Sequence, residues 1–141
     1  MPATPRSVLA LDVGEQRVGV AVASLAARLP RPLATLKQDK NFFTMLKGII
    51  KTENVEALAV GFPRGLGGQH TAQTRAVEAF TDELRKHCQL PVHFQDEAVT
   101  SKQAEAELEA RGKPYARGDI DALAATYILE DFLAEHRELA A

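Results

Sequence analysis

A chain of 141 residues, 45% hydrophobic and 26% charged, has the length and balance of one globular domain over residues 1–141, which argues against a disordered or membrane-embedded protein. Seventeen Lys and Arg against 19 Asp and Glu leave a net charge of −2, so any nucleic-acid partner must be held by a local basic patch rather than a global positive field. The single cysteine, Cys88, excludes an internal disulfide, no Cys/His spacing suits zinc, and MPATPRSV lacks the apolar core of a signal peptide, so the expected compartment is the cytoplasm, with no membrane partner.

In chain order, Ser7 to Val13 is small or branched and apolar, Gly14-Glu15-Gln16 supplies a turn, and Arg17 to Ala23 resumes a β pattern, which predicts a hairpin. Pro30 and Pro32 punctuate the next segment, so Leu33 to Lys37 is expected as an edge strand. Asp39 or Asn41 then caps a helix with Phe42, Leu46, Ile49 and Ile50 on one stripe, ending near Thr52. Val55 to Gly61 reads as a buried strand, and the three glycines and proline of FPRGLGGQH (Phe62 to His70) exclude regular structure. A helix from about Thr71 turns Val77, Phe80 and Leu84 inward, and Leu90 to Gln95 is a further short strand. Ser101 caps a helix to about Glu109, RGKPYARG breaks it, and a last helix runs from Asp119 to Leu133 with the stripe Ile120, Leu123, Ala124, Tyr127 and Ile128. The order β-β-β-α-β-α-β-α-α predicts an α/β fold with a mixed sheet and helices on both faces.

One residue breaks the apolar pattern where it matters. Asp12 lies inside the first strand, and burying a carboxylate there requires a cation or donors. Asp96-Glu97 follows the last strand, and Asp119 and Asp121 open the last helix, so acids from separate elements gather at strand ends, where ligands bind on such sheets. Carboxylates forced together repel, and a divalent cation with a preference for oxygen, Mg²⁺ or Mn²⁺, is the usual relief. Asp12 could instead accept N–H bonds in the Gly14 turn, and Asp119 or Asp121 could be a helix cap. Residues two apart on a helix face different ways, so at most one of that pair faces the site while the other caps. Alternation alone does not choose between Asp96 and Glu97.

Four motifs then carry a resemblance. DVGEQRVGVA (Asp12 to Ala21), GFPRGLGG (Gly61 to Gly68) followed by Thr71 and Arg75, DEAVTS (Asp96 to Ser101) and DALAATYILE (Asp121 to Glu130) resemble, in order and spacing, the YqgF/RuvX family. That family comprises RNase H-like proteins described as Holliday-junction resolvases or nucleases of pre-16S rRNA. The resemblance implies a five-stranded mixed sheet whose first three strands are antiparallel, and a catalytic, metal-binding triad of Asp12, Glu97 and Asp121. It departs from the family at Ala98, where Arg is usual, and at Gly67, where Asp or Asn is common. These departures bear on substrate preference and rate rather than on the reaction class.

Phosphate contacts are expected from Arg17, Arg64, Gly67, Gly68, Arg75 and Arg117, the glycines because backbone can approach a phosphate closely there. Arg111 and Lys113 flank Arg117 in the same basic loop, where Tyr115 could stack on a base or cover apolar surface. His70, at the end of the glycine loop, is the one histidine placed to meet a leaving group; His87, His93 and His136 suit packing. The expected activity is metal-dependent hydrolysis of phosphodiesters in structured RNA or branched DNA, with a homodimer compatible with paired cuts. The alternatives are a nucleic-acid-binding module of the same fold with little catalysis, and an actin-like ATPase, which would normally need a second domain.

Overall fold

The computed structural model describes residues 5–63, 71–97 and 100–139, and all their side chains except those of Glu97, Thr100 and Ser101. Within these residues the chain runs β1 (Ser7–Val13), β2 (Arg17–Ser24), β3 (Arg31–Lys37), α1 (Phe42–Thr52), β4 (Val55–Pro63), α2 (Ala72–His87), β5 (Val92–Glu97), α3 (Thr100–Arg111) and α4 (Arg117–Glu135). The strands form one sheet in the order β3-β2-β1-β4-β5. β1, β2 and β3 pair antiparallel, whereas β4 and β5 add in parallel to β1, so the carboxyl ends of β1, β4 and β5 share one edge. This is the RNase H-like mixed sheet that the resemblance implies.

Strand alternation divides the core in two. One face presents Leu9, Leu11, Val18, Val20, Leu58 and Val60, against which α1 packs Phe42 and Leu46 and α2 packs Val77, Phe80 and Leu84. The other presents Val8, Ala10, Ala21, Ala23, Ala57 and Ala59 to Ala125, Ile128, Leu129, Phe132 and Leu133 of α4. Side chains on this second face are mostly alanine, so α4 lies close on the sheet and its own large residues fill the space. Removing such a filler, as in Phe132→Ala, costs about 3–5 kcal/mol. The back of α4 is covered in turn, because Leu123 and Ala124 pack on Ala104 and Leu108 of α3. At its far end the Arg28 guanidinium donates to the carbonyls of Leu133, His136 and Leu139, giving the last turn of α4 a cation and donors.

Several boundaries differ from the sequence reading for identifiable reasons. β5 begins at Val92, not Leu90, because Pro91 has no N–H to give; its carbonyl accepts the Leu58 N–H at 2.9 Å instead. β4 continues past Gly61 through Pro63, pairing Phe62 with Asp96 and Pro63 with Glu97, so the acidic pair ends the strand rather than following it. Asn41 occupies the N-cap of α1 without a side-chain bond, and the Asp39 carboxylate accepts the Asn41 N–H at 2.9 Å in the turn just before the helix. Ser101 lies within the first turn of α3, and α4 starts two residues before Asp119.

Candidate active site

The site begins with a row of residues across three strands. Thr35 of β3, Gly19 of β2 and Asp12 of β1 are opposite one another in register. Residues directly opposite in antiparallel strands point to the same face. Asp12 shares the parity of Val8 and Ala10, and so lies half-buried on the side that α4 covers.

The first turns of α4 cross that row and are fastened to it. The Thr35 hydroxyl donates to the Gly118 carbonyl at 2.6 Å. At Gly19 the helix main chain touches the sheet, and a Cβ built there would lie 2.0 Å from the Asp121 carbonyl oxygen and 2.9 Å from the Ala122 nitrogen. The Arg17 Nε, two residues earlier on the same face of β2, donates to Asp121 Oδ2 at 2.8 Å. Asp121 is therefore seated by its main chain and its carboxylate over β2, the strand that pairs with β1 at Asp12.

The two acids of this helix divide their work as helical spacing predicts. Asp119 Oδ2 accepts the Ala116 N–H at 2.9 Å and satisfies the start of α4, while Asp121 meets Arg17. The Asp121 side chain is 23% exposed and that of Arg17 is 32% exposed, so their ion pair is half-shielded from solvent. Sequence reasoning did not single out Gly19 or Thr35. An isolated glycine inside a strand is a recognised sign of close backbone approach, and VGV at 18–20 carries it. Thr35 has no comparable signal.

The other expected residues are distributed as follows. Glu97 is the last residue of β5, at the carboxyl edge of the sheet, opposite Pro63. Arg64, Gly67, Gly68, His70 and Ala98 lie outside the described residues. Arg75 is exposed near the start of α2, whose cap is reciprocal: Thr71 Oγ1 accepts the Thr74 N–H at 3.2 Å, and Thr74 Oγ1 accepts that of Thr71 at 2.8 Å. Arg117 is exposed at the first residue of α4. Arg111 pairs with Glu107 one turn earlier at 3.2 Å. Tyr115 covers the α3–α4 cluster and donates to Glu109 at 2.5 Å; that bond pushes its pKa up to about 12. His87 stacks on Phe43, and His93 and His136 flank Phe132, so these three pack. Cys88 is half-buried at the end of α2, with its thiol donating to the Leu84 carbonyl.

The donors suit a divalent cation that favours oxygen. Asp12 and Asp121 offer carboxylates on one face of the sheet, and the guanidinium on Asp121 shows that positive charge is accommodated there. Among the described residues no three His, Cys, Asp or Glu side chains form a metal-holding group, and the Glu97 side chain is not among those described. Among the same residues no helix is long and apolar enough to cross a membrane.

Comparison with known proteins bears on the family and the fold. Residues 6–135 match the model of RuvX, described as Holliday junction resolvase. A protein of Roseiflexus sp. (strain RS-1) that bears the name "Putative pre-16S rRNA nuclease" is 39% identical over 142 residues, covering 97% of this chain and 100% of that one. A protein of the same name from Nitratidesulfovibrio vulgaris (strain DP4) is 37% identical over 139 residues, covering 94% and 98%. Among solved structures, T. thermophilus RuvC in complex with Holliday junction substrate superposes with a TM-score of 0.55 at 19% identity, over 92% of this chain and 95% of that one. The fowlpox virus Holliday junction resolvase gives 0.54 at 14%, over 94% and 99%. At those identities the structural likeness speaks for the fold. With the family model spanning nearly the whole chain, the protein belongs to the RuvX family of RNase H-like nucleases.

Proposed function

We propose that this protein is a divalent-metal-dependent nuclease that cuts phosphodiesters in structured nucleic acid, with Asp12, Glu97 and Asp121 as the catalytic metal ligands. The observation that carries the reading is the seat of Asp121 on Gly19, directly across the hairpin from Asp12, at the edge where β5 ends in Glu97. Asp96 is set apart from this group by strand parity, because it alternates with His93 and Gln95, whose side chains meet α4.

Asp12, Glu97 and Asp121 would hold Mg²⁺ or Mn²⁺, which would supply water activation and charge neutralisation for phosphodiester hydrolysis. The chain's own residues do the rest. Asp12 is fixed in the β1–β2 ladder opposite Gly19, and the main chain around Asp121 is seated by the Thr35–Gly118 bond and the close approach at Gly19, so both backbones are in place before substrate arrives. Arg75 and Arg117, exposed at the starts of α2 and α4, together with Arg17, Arg64 and the Gly67-Gly68 backbone, are the proposed phosphate contacts. They provide the local basic patch that a net charge of −2 requires.

The names of the relatives point to pre-16S rRNA as the first substrate to try, and the family description to four-way DNA junctions as the second. Either would be met in the cytoplasm, and a homodimer suits paired cuts in a junction. The test offers 5′-extended 16S rRNA fragments, single-stranded RNA and a four-way junction to wild type and Asp12→Asn, each with Mg²⁺, Mn²⁺ or EDTA. Wild type should cut a structured substrate with metal and not with EDTA. Equal cutting by folded Asp12→Asn would refute the proposal. Binding without cutting under every metal would favour the non-catalytic module, for which Ala98 is the supporting feature.

A further inference from the structure

We propose that Arg17 is a built-in counter-ion for the metal site, holding Asp121 when no divalent cation is bound and thereby setting how much cation the site requires. The inference rests on the reading of Asp12, Glu97 and Asp121 as ligands, and goes beyond it by assigning Arg17 a role toward them.

The placement is specific. Arg17 is the first residue of β2, immediately after the turn closed by the Gly14 N–H on the Arg17 carbonyl at 2.8 Å. That turn fixes its backbone, and its side chain lies on the same face as Gly19 and diagonally from Asp12. Its Nε bonds Asp121 Oδ2 at 2.8 Å, and Oδ1 takes no part in that bond. The half-shielded position keeps solvent and salt from screening the charge as fully as at an open surface.

Two consequences follow from this pairing. Without a divalent cation, Asp121 keeps a positive neighbour, so the acids of the site do not simply repel one another. A divalent cation held by Asp121 would share that carboxylate with the guanidinium, whose like charge would oppose it. Binding then requires Arg17 to loosen its hold on Asp121 or to share it. Arg17 is thus a positioning residue for Asp121, and it lowers the affinity of the site for the cation it accompanies.

The test is a Mn²⁺ titration of the full chain without nucleic acid, read by electron paramagnetic resonance of free Mn²⁺, for wild type, Arg17→Met, Arg17→Lys and Asp12→Asn. Circular dichroism establishes that each variant is folded. Arg17→Met keeps the apolar stem and removes the charge, and should tighten Mn²⁺ binding on the order of tenfold. Arg17→Lys keeps the charge and should stay within about threefold of wild type. A merely structural fastening predicts the reverse, with binding weakened or unchanged in Arg17→Met. That result, beside normal wild-type binding and a clear loss in Asp12→Asn, overturns this inference and leaves the proposed site intact. Wild type and Asp12→Asn binding Mn²⁺ equally, or neither binding it, would instead remove the site itself, and the role of Arg17 with it.

Discussion

Gly19→Ala is the smallest change that should separate the fold from its site. The added Cβ would sit 2.0 Å from the Asp121 carbonyl oxygen, 2.3 Å from its carbon and 2.9 Å from the Ala122 nitrogen. All three are backbone atoms, so no rotamer change relieves the clash. Ordinary contact begins at 3.4 Å, and the first turns of α4 must retreat by roughly 1.4 Å, tilting away from the sheet or slipping along it. Overpacking of this kind costs about 1–3 kcal/mol, a fall in Tm of roughly 3–12 °C for a chain of this length. The retreat carries Asp121 away from Asp12, and a misplacement near 1 Å lowers catalysis by about 10²-fold. The assay is single-turnover cleavage at saturating Mn²⁺, well below the Tm of the variant, paired with thermal unfolding. Gly48→Ala is the control, since nothing lies within 4 Å of a Cβ there; this helix-interior change in α1 should stabilise by about 0.5–1 kcal/mol and leave cleavage unchanged. Cleavage by Gly19→Ala within threefold of wild type, with an unchanged Tm, would refute the argument that α4 is seated through Gly19.

Thr35→Val removes the donor to the Gly118 carbonyl and should cost about 0.5–1.5 kcal/mol in urea unfolding, with a smaller loss of cleavage than Gly19→Ala because the contact at β2 remains. Phe132→Ala should lose about 3–5 kcal/mol in the same assay and yet cut normally at low temperature, because it empties the core far from Asp12 and Asp121. Burial first, and then the charge of His136, holds His93 below its ordinary 6.5, so the folded state favours its neutral form. The stability that His93 contributes is therefore full above about pH 6.5 and lost as pH falls through that value toward its lower folded pKa; urea midpoints of His93→Gln should vary less than wild type between pH 7.5 and 5.

The β1–β2 hairpin was legible because alternation and a turn signal agree: the apolar runs stop at Gly14-Glu15-Gln16, and the structure closes the turn there. The edge position of β3 followed from Pro32 within it and Pro30 just before it. β5 was read two residues early because hydrophobicity marks the Leu90-Pro91 approach, whereas pairing with β4 decides where the ladder runs. Periodicity caught one stripe of α4 but not its burial on both sides, since a helix sandwiched between a sheet and another helix carries apolar residues around most of its circumference. That Asp119 and Asp121 take different partners was legible from helical spacing, but which of the two caps was not. Nor was the partner of Asp121, because Arg17 is 104 positions away in sequence and no local pattern joins them. Gly19 carried a signal, a glycine inside an otherwise branched strand, whose meaning depended on knowing what lay above it.

The central claim is that Asp12, Glu97 and Asp121 act as one metal-holding group while their neighbours do not. Metal-dependent cleavage of the preferred substrate by Asp12→Asn, Glu97→Gln and Asp121→Asn, each compared with Asp96→Asn and Asp119→Asn, tests it most directly. The first three should fall by on the order of 10²-fold or more while remaining folded, and the two controls should stay within a few-fold of wild type. Retained cleavage in any of the three, or an equal loss in Asp96→Asn, would contradict the account.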